Sequence, residues 1–245
     1  MLDNCTIEKM HQLKLQGMLT AYQQISQSEQ INALTLAEGL SLLLDHEVTY
    51  RGDKKLERLL KVAKLRYPQA LIEDINYEHK RAMTHEQWQW LIGGQWLLNH
   101  QNIILLGPTG IGKTYLACAC AQLACRKGYH TRYFRLSKLF NAIRMAHADG
   151  SYSRLLAALL KASCLVIDDF GMDSIEPQLR TDLLEIIDDR YDQRSLVIGT
   201  QLPIEHWHDY IGDHTIADAL LDRIIHQAKI FTLSGESIRK NIDSK

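Results

Sequence analysis

Residues 107–114 read Gly-Pro-Thr-Gly-Ile-Gly-Lys-Thr and lie between the apolar run 103–106 and an alanine-rich stretch that includes Leu116. The glycines allow the backbone to bend closely around an anion, so that several N–H groups point inward. The apolar run predicts a buried strand, and the alanine-rich stretch predicts a helix whose N-terminus adds partial positive charge. This context predicts a phosphate-binding loop, with a structural glycine turn as the weaker alternative.

The loop and the first helical turn supply the candidate nucleotide-binding residues. Lys113 is predicted to bridge the β- and γ-phosphates, and the Thr114 hydroxyl is predicted to ligate magnesium. ATP and Mg²⁺ are therefore the expected cofactors. The residues predicted to contact the nucleotide are Gly107, Pro108, Thr109, Gly110, Ile111, Gly112, Lys113, Thr114 and Tyr115.

An acidic pair, Asp168-Asp169, follows the apolar run 164–167. A parallel strand that carries carboxylates at its C-terminal end places them beside the phosphate loop. Asp168 is predicted to hold magnesium, and Asp169 to orient or deprotonate the attacking water. A plain helix N-cap is the alternative interpretation.

The spacing of apolar residues along the chain changes near residue 100. Residues 1–95 show helical spacing of apolar side chains, whereas the later apolar runs 103–106, 131–134, 164–167, 196–198 and 230–233 alternate with helical patterns. Such alternation predicts a parallel sheet covered by helices, hence an α/β fold. We therefore expect a small all-helical N-terminal domain over residues 1–95 and a nucleotide-binding domain over residues 96–245.

Bulk properties restrict the protein's surroundings and partners. The net charge of −1 means that any nucleic-acid surface must be local. Five cysteines, an odd number, favour a reduced compartment, and no apolar run has the length of a membrane span, so we expect a cytoplasmic protein without membrane contact. Side chains expected to be core or surface groups rather than metal ligands are Cys118, Cys120, Cys125, His206, His208 and His214.

Several collinear stretches together resemble one family. They are residues 58–64, 72–77, 165–171, 183–191, 200–203, 211–223 and 235–239. The chain resembles the IstB-type transposition helper ATPases, which belong with the helicase loaders in the initiator branch of the AAA+ superfamily. The resemblance implies a P-loop AAA+ ATPase core over residues 96–245. Only 22 residues follow Arg223, so no sizeable C-terminal lid is expected.

The resemblance also implies roles for polar side chains outside the loop. Gln201 corresponds to a sensor of the γ-phosphate, and Arg223 to an arginine offered to a neighbouring subunit's nucleotide, so the expected catalytic set is Lys113, Asp169, Gln201 and Arg223. A surface pairing of Arg223 with Asp218 or Asp222 is the alternative. Arg239 resembles a second sensor arginine, and a solvated C-terminal charge is the alternative there.

Two groups of basic residues are candidates for contact with DNA. The first forms one face of a predicted helix and comprises Lys54, Lys55, Arg58 and Lys61, and the second comprises Lys138 and Arg144. Clustered cations on one helical face suit phosphate contacts. A solvated helix face is the alternative for both groups.

Three functions remain open from the sequence. The resemblance implies an ATPase that forms homo-oligomers on duplex DNA with nucleotide at the subunit interfaces, and that recruits and stimulates a cognate transposase. A replicative helicase loader acting on single-stranded DNA has the same core. A nucleotide-gated binding module with negligible turnover is the third hypothesis.

Overall fold

The computed structural model describes residues 2–27, 34–75 and 83–235. The chain divides into two compact units, Met1–Arg58 and Leu59–Lys245. In the described part of the chain, no helix is long and apolar enough to cross a membrane.

Helices form the first unit. They are α1 (Leu2–Gln12), α2 (Gln16–Ser26) and the larger part of α3 (Leu36–Ala63). Helix α2 approaches α3 closely, because a Cβ added at Gly17 would lie 2.6 Å from the carbonyl oxygen of His46. Buried Glu47 accepts a hydrogen bond from the backbone N–H of Met18 at 3.0 Å. This bond satisfies an N–H in the first turn of α2, which has no partner inside its own helix.

The second unit begins with the end of α3 and includes two short helices that contact the sheet. These are α4 (His85–Gly93), which starts with a capping box at Thr84, and α5 (Gln95–Leu98). The Trp96 carbonyl accepts a hydrogen bond from the Ser195 hydroxyl at 3.0 Å, and the Trp90 ring lies 5.8 Å from that of Phe231. Because these contacts tie α4 and α5 to the sheet, the division falls after residue 58, earlier than the predicted boundary at residue 95.

Five parallel strands form one sheet, as the apolar runs predict. They are β1 (Asn102–Leu106), β2 (Thr131–Arg135), β3 (Cys164–Phe170), β4 (Ser195–Thr200) and β5 (Ala228–Thr232). Their order in the sheet is β2-β3-β4-β1-β5. Strands β1 and β3 are almost wholly buried, which explains why both read as continuous apolar runs rather than alternating ones.

Helices connect the strands. They are α6 (Lys113–Arg126), α7 (Leu136–Ala148), α8 (Tyr152–Leu160), α9 (Pro177–Asp188), the 3₁₀ turn Ile204–His206, α10 (Trp207–Ile211) and α11 (His214–Ile225). Nearly every side chain of α6 is buried, including Cys118, Cys120 and Cys125. These cysteines belong to the core, as predicted. Among the described residues, no helix follows β5.

Candidate nucleotide-binding site

The phosphate loop lies where β1 ends and α6 begins. Gly110 and Gly112 adopt left-handed conformations with φ of 85° and 95°, which glycine reaches at little cost. Gly107 has no room for a side chain, because an added Cβ would lie 2.4 Å from the Leu233 carbonyl oxygen. The glycines therefore have separate tasks, two in the turn and one in the close passage of two backbones.

Lys113 is the first residue of α6, and its side chain folds back into the loop. Its ammonium donates hydrogen bonds to the carbonyls of Gly107 at 2.7 Å and Pro108 at 2.8 Å. The side chain is buried, with 9% of the residue exposed. A cation is thus held inside the loop, beside the N-terminus of a helix, where both features favour an anion.

Asp168 lies in β3 beside this loop and is 1% exposed. The Tyr133 hydroxyl donates a hydrogen bond to its Oδ2 at 2.9 Å. Burial raises the pKa of Asp168 above its ordinary value and the Asp169 charge adds to this, whereas hydrogen bonds from Thr114 and Tyr133 oppose the rise. Gly199 leaves space for the carboxylate, because a Cβ there would lie 2.4 Å from Oδ1.

The oxygen atoms at this point fit a magnesium ion. The Thr114 hydroxyl adjoins the Asp168 carboxylate. Oδ1 of Asp168 is buried and has no hydrogen-bond partner among the described residues. Hydroxyl and carboxylate oxygens next to a phosphate site are the donors that Mg²⁺ prefers.

Asp169 points away from the strand because β3 is irregular there. The pairing of β3 with β4 shifts between Ile167 and Phe170, and Asp169 adopts a left-handed φ of 58°. Such an irregularity redirects a side chain, and aspartate tolerates this conformation better than most residues. The carboxylate is 38% exposed and lies 3.4 Å from the Nε of Arg135, at the end of β2. Asp169 is thus accessible to solvent at the carboxyl edge of the sheet.

Gln201 follows β4 directly and reaches the phosphate loop. Its Oε1 accepts a hydrogen bond from the Thr109 hydroxyl at 2.5 Å, and its Nε2 lies 3.3 Å from the sulfur of Met172. A polar group is thus held against the loop from a strand between β1 and β3. Lys113, Asp168, Asp169 and Gln201 therefore meet at the carboxyl edge of the sheet, although the sequence separates them widely.

Arg223 lies at the other edge of the sheet. It is in the last turn of α11, and its carbonyl accepts a hydrogen bond from the Asn102 side chain at the start of β1. The two ends of β1 are about 13 Å apart. The arginine is therefore remote from the phosphate loop of its own chain. It pairs with Asp188 rather than with Asp218 or Asp222, the partners that the alternative interpretation named, and Asp218 pairs with His208.

The remaining candidate residues lie outside this edge. Arg239 falls outside the described residues. Lys55, Arg58 and Lys61 are exposed on α3, whereas Lys54 on the same helix pairs with Glu57 at 2.8 Å. Lys138 and Arg144 are exposed on α7, and Arg144 is bound to Glu176 at 2.9 Å.

Sequence reasoning missed Tyr133 as part of the site. It belongs to the apolar run 131–134, so its ring reads as core, and only its need for a hydroxyl partner signals more. Its pKa is raised, chiefly by burial and then by the Asp168 charge. The contact between Arg135 and Asp169 was also missed, because no local pattern reveals which charges meet across neighbouring strands.

The fold and the site together define a class of protein. A parallel sheet with the order β2-β3-β4-β1-β5 carries a phosphate loop after β1, a buried aspartate in β3 and a polar residue after β4. These features define a P-loop ATP-binding protein of the AAA+ type. The chain belongs to the family of IstB-like ATP binding proteins, whose model matches residues 8–245.

Individual relatives agree with this membership, and a solved structure is similar in fold. The chain is 42% identical over 241 residues to the insertion sequence ATP-binding protein y4pL of Sinorhizobium fredii, covering 98% of each chain. It is 42% identical over 203 residues to the ATP-binding protein of insertion sequence IS1162 from Pseudomonas fluorescens, covering 83% of this chain and 88% of the relative. The fold is similar to the crystal structure of the DnaC helicase loader, with a TM-score of 0.55, 18% identity, and coverage of 69% and 99%.

Proposed function

We propose that this protein hydrolyses ATP to ADP and phosphate and uses the nucleotide to assemble on duplex DNA, where it recruits and stimulates the transposase of an insertion sequence. The observation that carries the proposal is the separation of Arg223 from its own phosphate loop. An arginine placed there can serve hydrolysis only when a second copy brings its nucleotide to it. The relatives' association with insertion sequences supports the role in transposition.

The residues at the carboxyl edge divide the chemistry of hydrolysis among them. The loop N–H groups and Lys113 bind the phosphates. Thr114 and Asp168 would hold Mg²⁺, which neutralises phosphate charge when bound. Asp169 orients the attacking water and accepts its proton, because its carboxylate is exposed at the same edge of the sheet as the loop. Gln201 positions the γ-phosphate from the end of β4.

Arg223 acts in trans as an arginine finger, that is, an arginine that completes the nucleotide site of a second copy. Arg223 of a second copy adds positive charge where negative charge develops in the transition state. A nucleotide that binds at such an interface stabilises the oligomer rather than the monomer. ATP therefore favours assembly, and its hydrolysis favours release.

Contact with duplex DNA is assigned to exposed cations. Lys55, Arg58 and Lys61 are exposed near the end of α3, and Lys138 is exposed on α7. Each such cation near a phosphate releases counterions and makes binding dependent on salt. Lys54 and Arg144 contribute less, because each is already paired with a glutamate. The helical region over residues 1–95 is assigned to contacts within the oligomer or with the transposase. Since DNA and transposase are the proposed partners, the proposed location of the protein is the cytoplasm.

A helicase loader is the second candidate function. The similarity to the DnaC helicase loader favours it at the level of the fold. A loader acts on single-stranded DNA, whereas the proposed transposition function requires duplex DNA. The preference between the two forms of DNA therefore separates the candidates.

Sedimentation of the purified protein with a long duplex tests the proposal. The experiment compares ATP, ADP and no nucleotide, on the duplex and on a single strand of the same length. Lys113→Ala is the binding-deficient variant, and Lys161→Ala, at an exposed lysine directly after α8, is the matched control. Large complexes that require both ATP and duplex, and that only Lys113→Ala abolishes, support the proposal. Assembly only on single strands supports the helicase loader, and a monomer under all conditions overturns both.

A further inference from the structure

The last turns of α9 and α11 lie together at the amino edge of the sheet. Asp188 is the final residue of α9, and Arg223 is in the final turn of α11. The Arg223 Nε donates a hydrogen bond to Oδ1 of Asp188, and its Nη1 donates one to the Ala219 carbonyl at 2.9 Å. Two groups of the guanidinium are thus held within the chain, while Nη2 has no hydrogen-bond partner among the described residues.

A contribution to the stability of the fold does not explain why an aspartate stands at position 188. A carboxylate at the C-terminal end of a helix meets the negative end of the helix dipole, which is unfavourable. The pair is also partly exposed, with 54% of the Asp188 side chain and 29% of the Arg223 side chain accessible. Ion pairs of this exposure contribute little to folding. The aspartate therefore fits a role in the geometry of Arg223 better than a role in the stability of α9.

The backbone beneath Arg223 is fixed independently. The Asn102 Nδ2 donates hydrogen bonds to the carbonyls of Arg223 at 3.3 Å and Ile224 at 3.0 Å. The Asn102 Oδ1 accepts one from the backbone N–H of Leu196 at 3.0 Å. Asparagine thus joins the end of α11 to β1 and β4. With the backbone fixed there, the direction of the side chain depends on two contacts, the Ala219 carbonyl in its own helix and the Asp188 carboxylate from α9.

We propose that Asp188 is a positioning residue that holds the Arg223 guanidinium and leaves Nη2 available for the ATP γ-phosphate bound by a second copy of this chain. The inference rests on the proposed function, since it assumes that Arg223 acts in trans. A held guanidinium loses less conformational entropy when the second copy docks. It also arrives in the orientation that the transition state needs, and misplacement of such a group by about 1 Å can cost a hundredfold in rate.

The test uses the full chain with duplex DNA and compares Asp188→Ala, Asp188→Asn and Arg223→Ala. Asp189→Ala is the matched control, because Asp189 is an exposed acid at the same helix end that is not bonded to Arg223. Asp188→Ala should lower kcat roughly tenfold, whereas affinity for ATP at its own loop stays unchanged. Asp188→Asn keeps the acceptor oxygen and should retain most of the activity. Asp189→Ala should behave as the unmodified chain.

Mixed oligomers distinguish positioning from damage to the fold. Lys113→Ala subunits cannot use ATP, but they still carry an intact Asp188 and Arg223. Added to Asp188→Ala or Arg223→Ala subunits, they should restore hydrolysis. The Arg223 of a Lys113→Ala subunit then acts on the ATP that is bound by the intact phosphate loop of the other variant. Loss in Asp188→Ala without restoration means a structural defect and overturns the inference.

Two further outcomes separate the inference from the proposed function. Full activity of Asp188→Ala beside an inactive, restorable Arg223→Ala overturns the inference and leaves the action in trans intact. Full activity of Arg223→Ala, or its failure to be restored by mixing, overturns the action in trans itself.

Discussion

The two edges of the sheet present different kinds of site. At the carboxyl edge, a loop of consecutive residues bends around the Lys113 ammonium. Gln201 contacts this loop, and Asp168 lies at the same edge. At the amino edge, Asn102, Asp188 and Arg223 meet from three separate segments. The first edge holds the groups that we propose to bind the nucleotide, and the second holds a cation whose Nη2 has no hydrogen-bond partner among the described residues.

Under the proposed function, the difference between the edges means that neither edge is sufficient alone. The phosphate loop follows the carboxyl end of β1, so the groups at the amino end of that strand are remote from the loop by about the length of the strand. A chain that places catalytic groups at both edges therefore requires a second copy, oriented so that opposite edges meet. Head-to-tail contacts of this type generate rings or open helical assemblies rather than closed two-fold dimers.

Loss of the loop lysine should have the largest effect. Lys113→Ala removes the buried cation that the loop encloses, and we expect kcat/KM for ATP to fall about a thousandfold. Phosphate release at steady state measures it, with Lys161→Ala as the control. Substantial turnover by Lys113→Ala would mean that the carboxyl edge does not bind the nucleotide.

Arg190 tests the amino edge through stability. It is 2% exposed and donates hydrogen bonds to the carbonyls of Leu159, Ala162 and Ser195. Burial lowers its pKa to about 10, so the group remains a cation at neutral pH.

Arg190→Leu removes three buried hydrogen bonds from the guanidinium to backbone carbonyls, so the free energy of unfolding should fall by about 3 kcal/mol. Urea denaturation measures the loss, and Arg154→Leu on the exposed face of α8 is the control. An unchanged midpoint would show that water replaces the guanidinium, and that this edge is less tightly packed than its contacts indicate.

Asp169→Asn should separate binding from chemistry at the carboxyl edge. The amide cannot accept a proton, so kcat should fall about a hundredfold, while ATP affinity and ATP-dependent assembly remain. Single-turnover hydrolysis measures the rate, and Asp173→Asn, a nearby exposed acid, is the control. Negligible turnover by the unmodified chain, with no further loss in Asp169→Asn, would instead favour a nucleotide-gated binding module.

Tyr133→Phe should have the smallest effect. The substitution removes one hydrogen bond to Asp168, a contribution of about 1 kcal/mol, so the Mg²⁺ concentration for half-maximal hydrolysis should rise about fivefold. A magnesium titration at saturating ATP measures the change, with Tyr129→Phe as the control. An unchanged titration would show that Asp168 holds its orientation without the phenol.

Local patterns in the sequence determined most of the carboxyl edge. Glycines at positions 110 and 112 are required because the loop needs left-handed backbone there, and Lys113 follows them directly. The buried parallel strands are recognisable in the sequence as continuous apolar runs, because both faces of the sheet are covered. Such features depend on neighbouring residues, so they can be read in order along the chain.

Only the tertiary structure decided which distant side chains meet. Tyr133 reached Asp168 and Arg135 reached Asp169 because β2 pairs with β3 in one register. Arg223 pairs with Asp188 and not with Asp218 or Asp222 of its own helix, because α9 and α11 end at the same edge of the sheet. Pairings of this kind follow from strand order and helix packing, which are collective properties of the whole chain, and no spacing within a single segment encodes them.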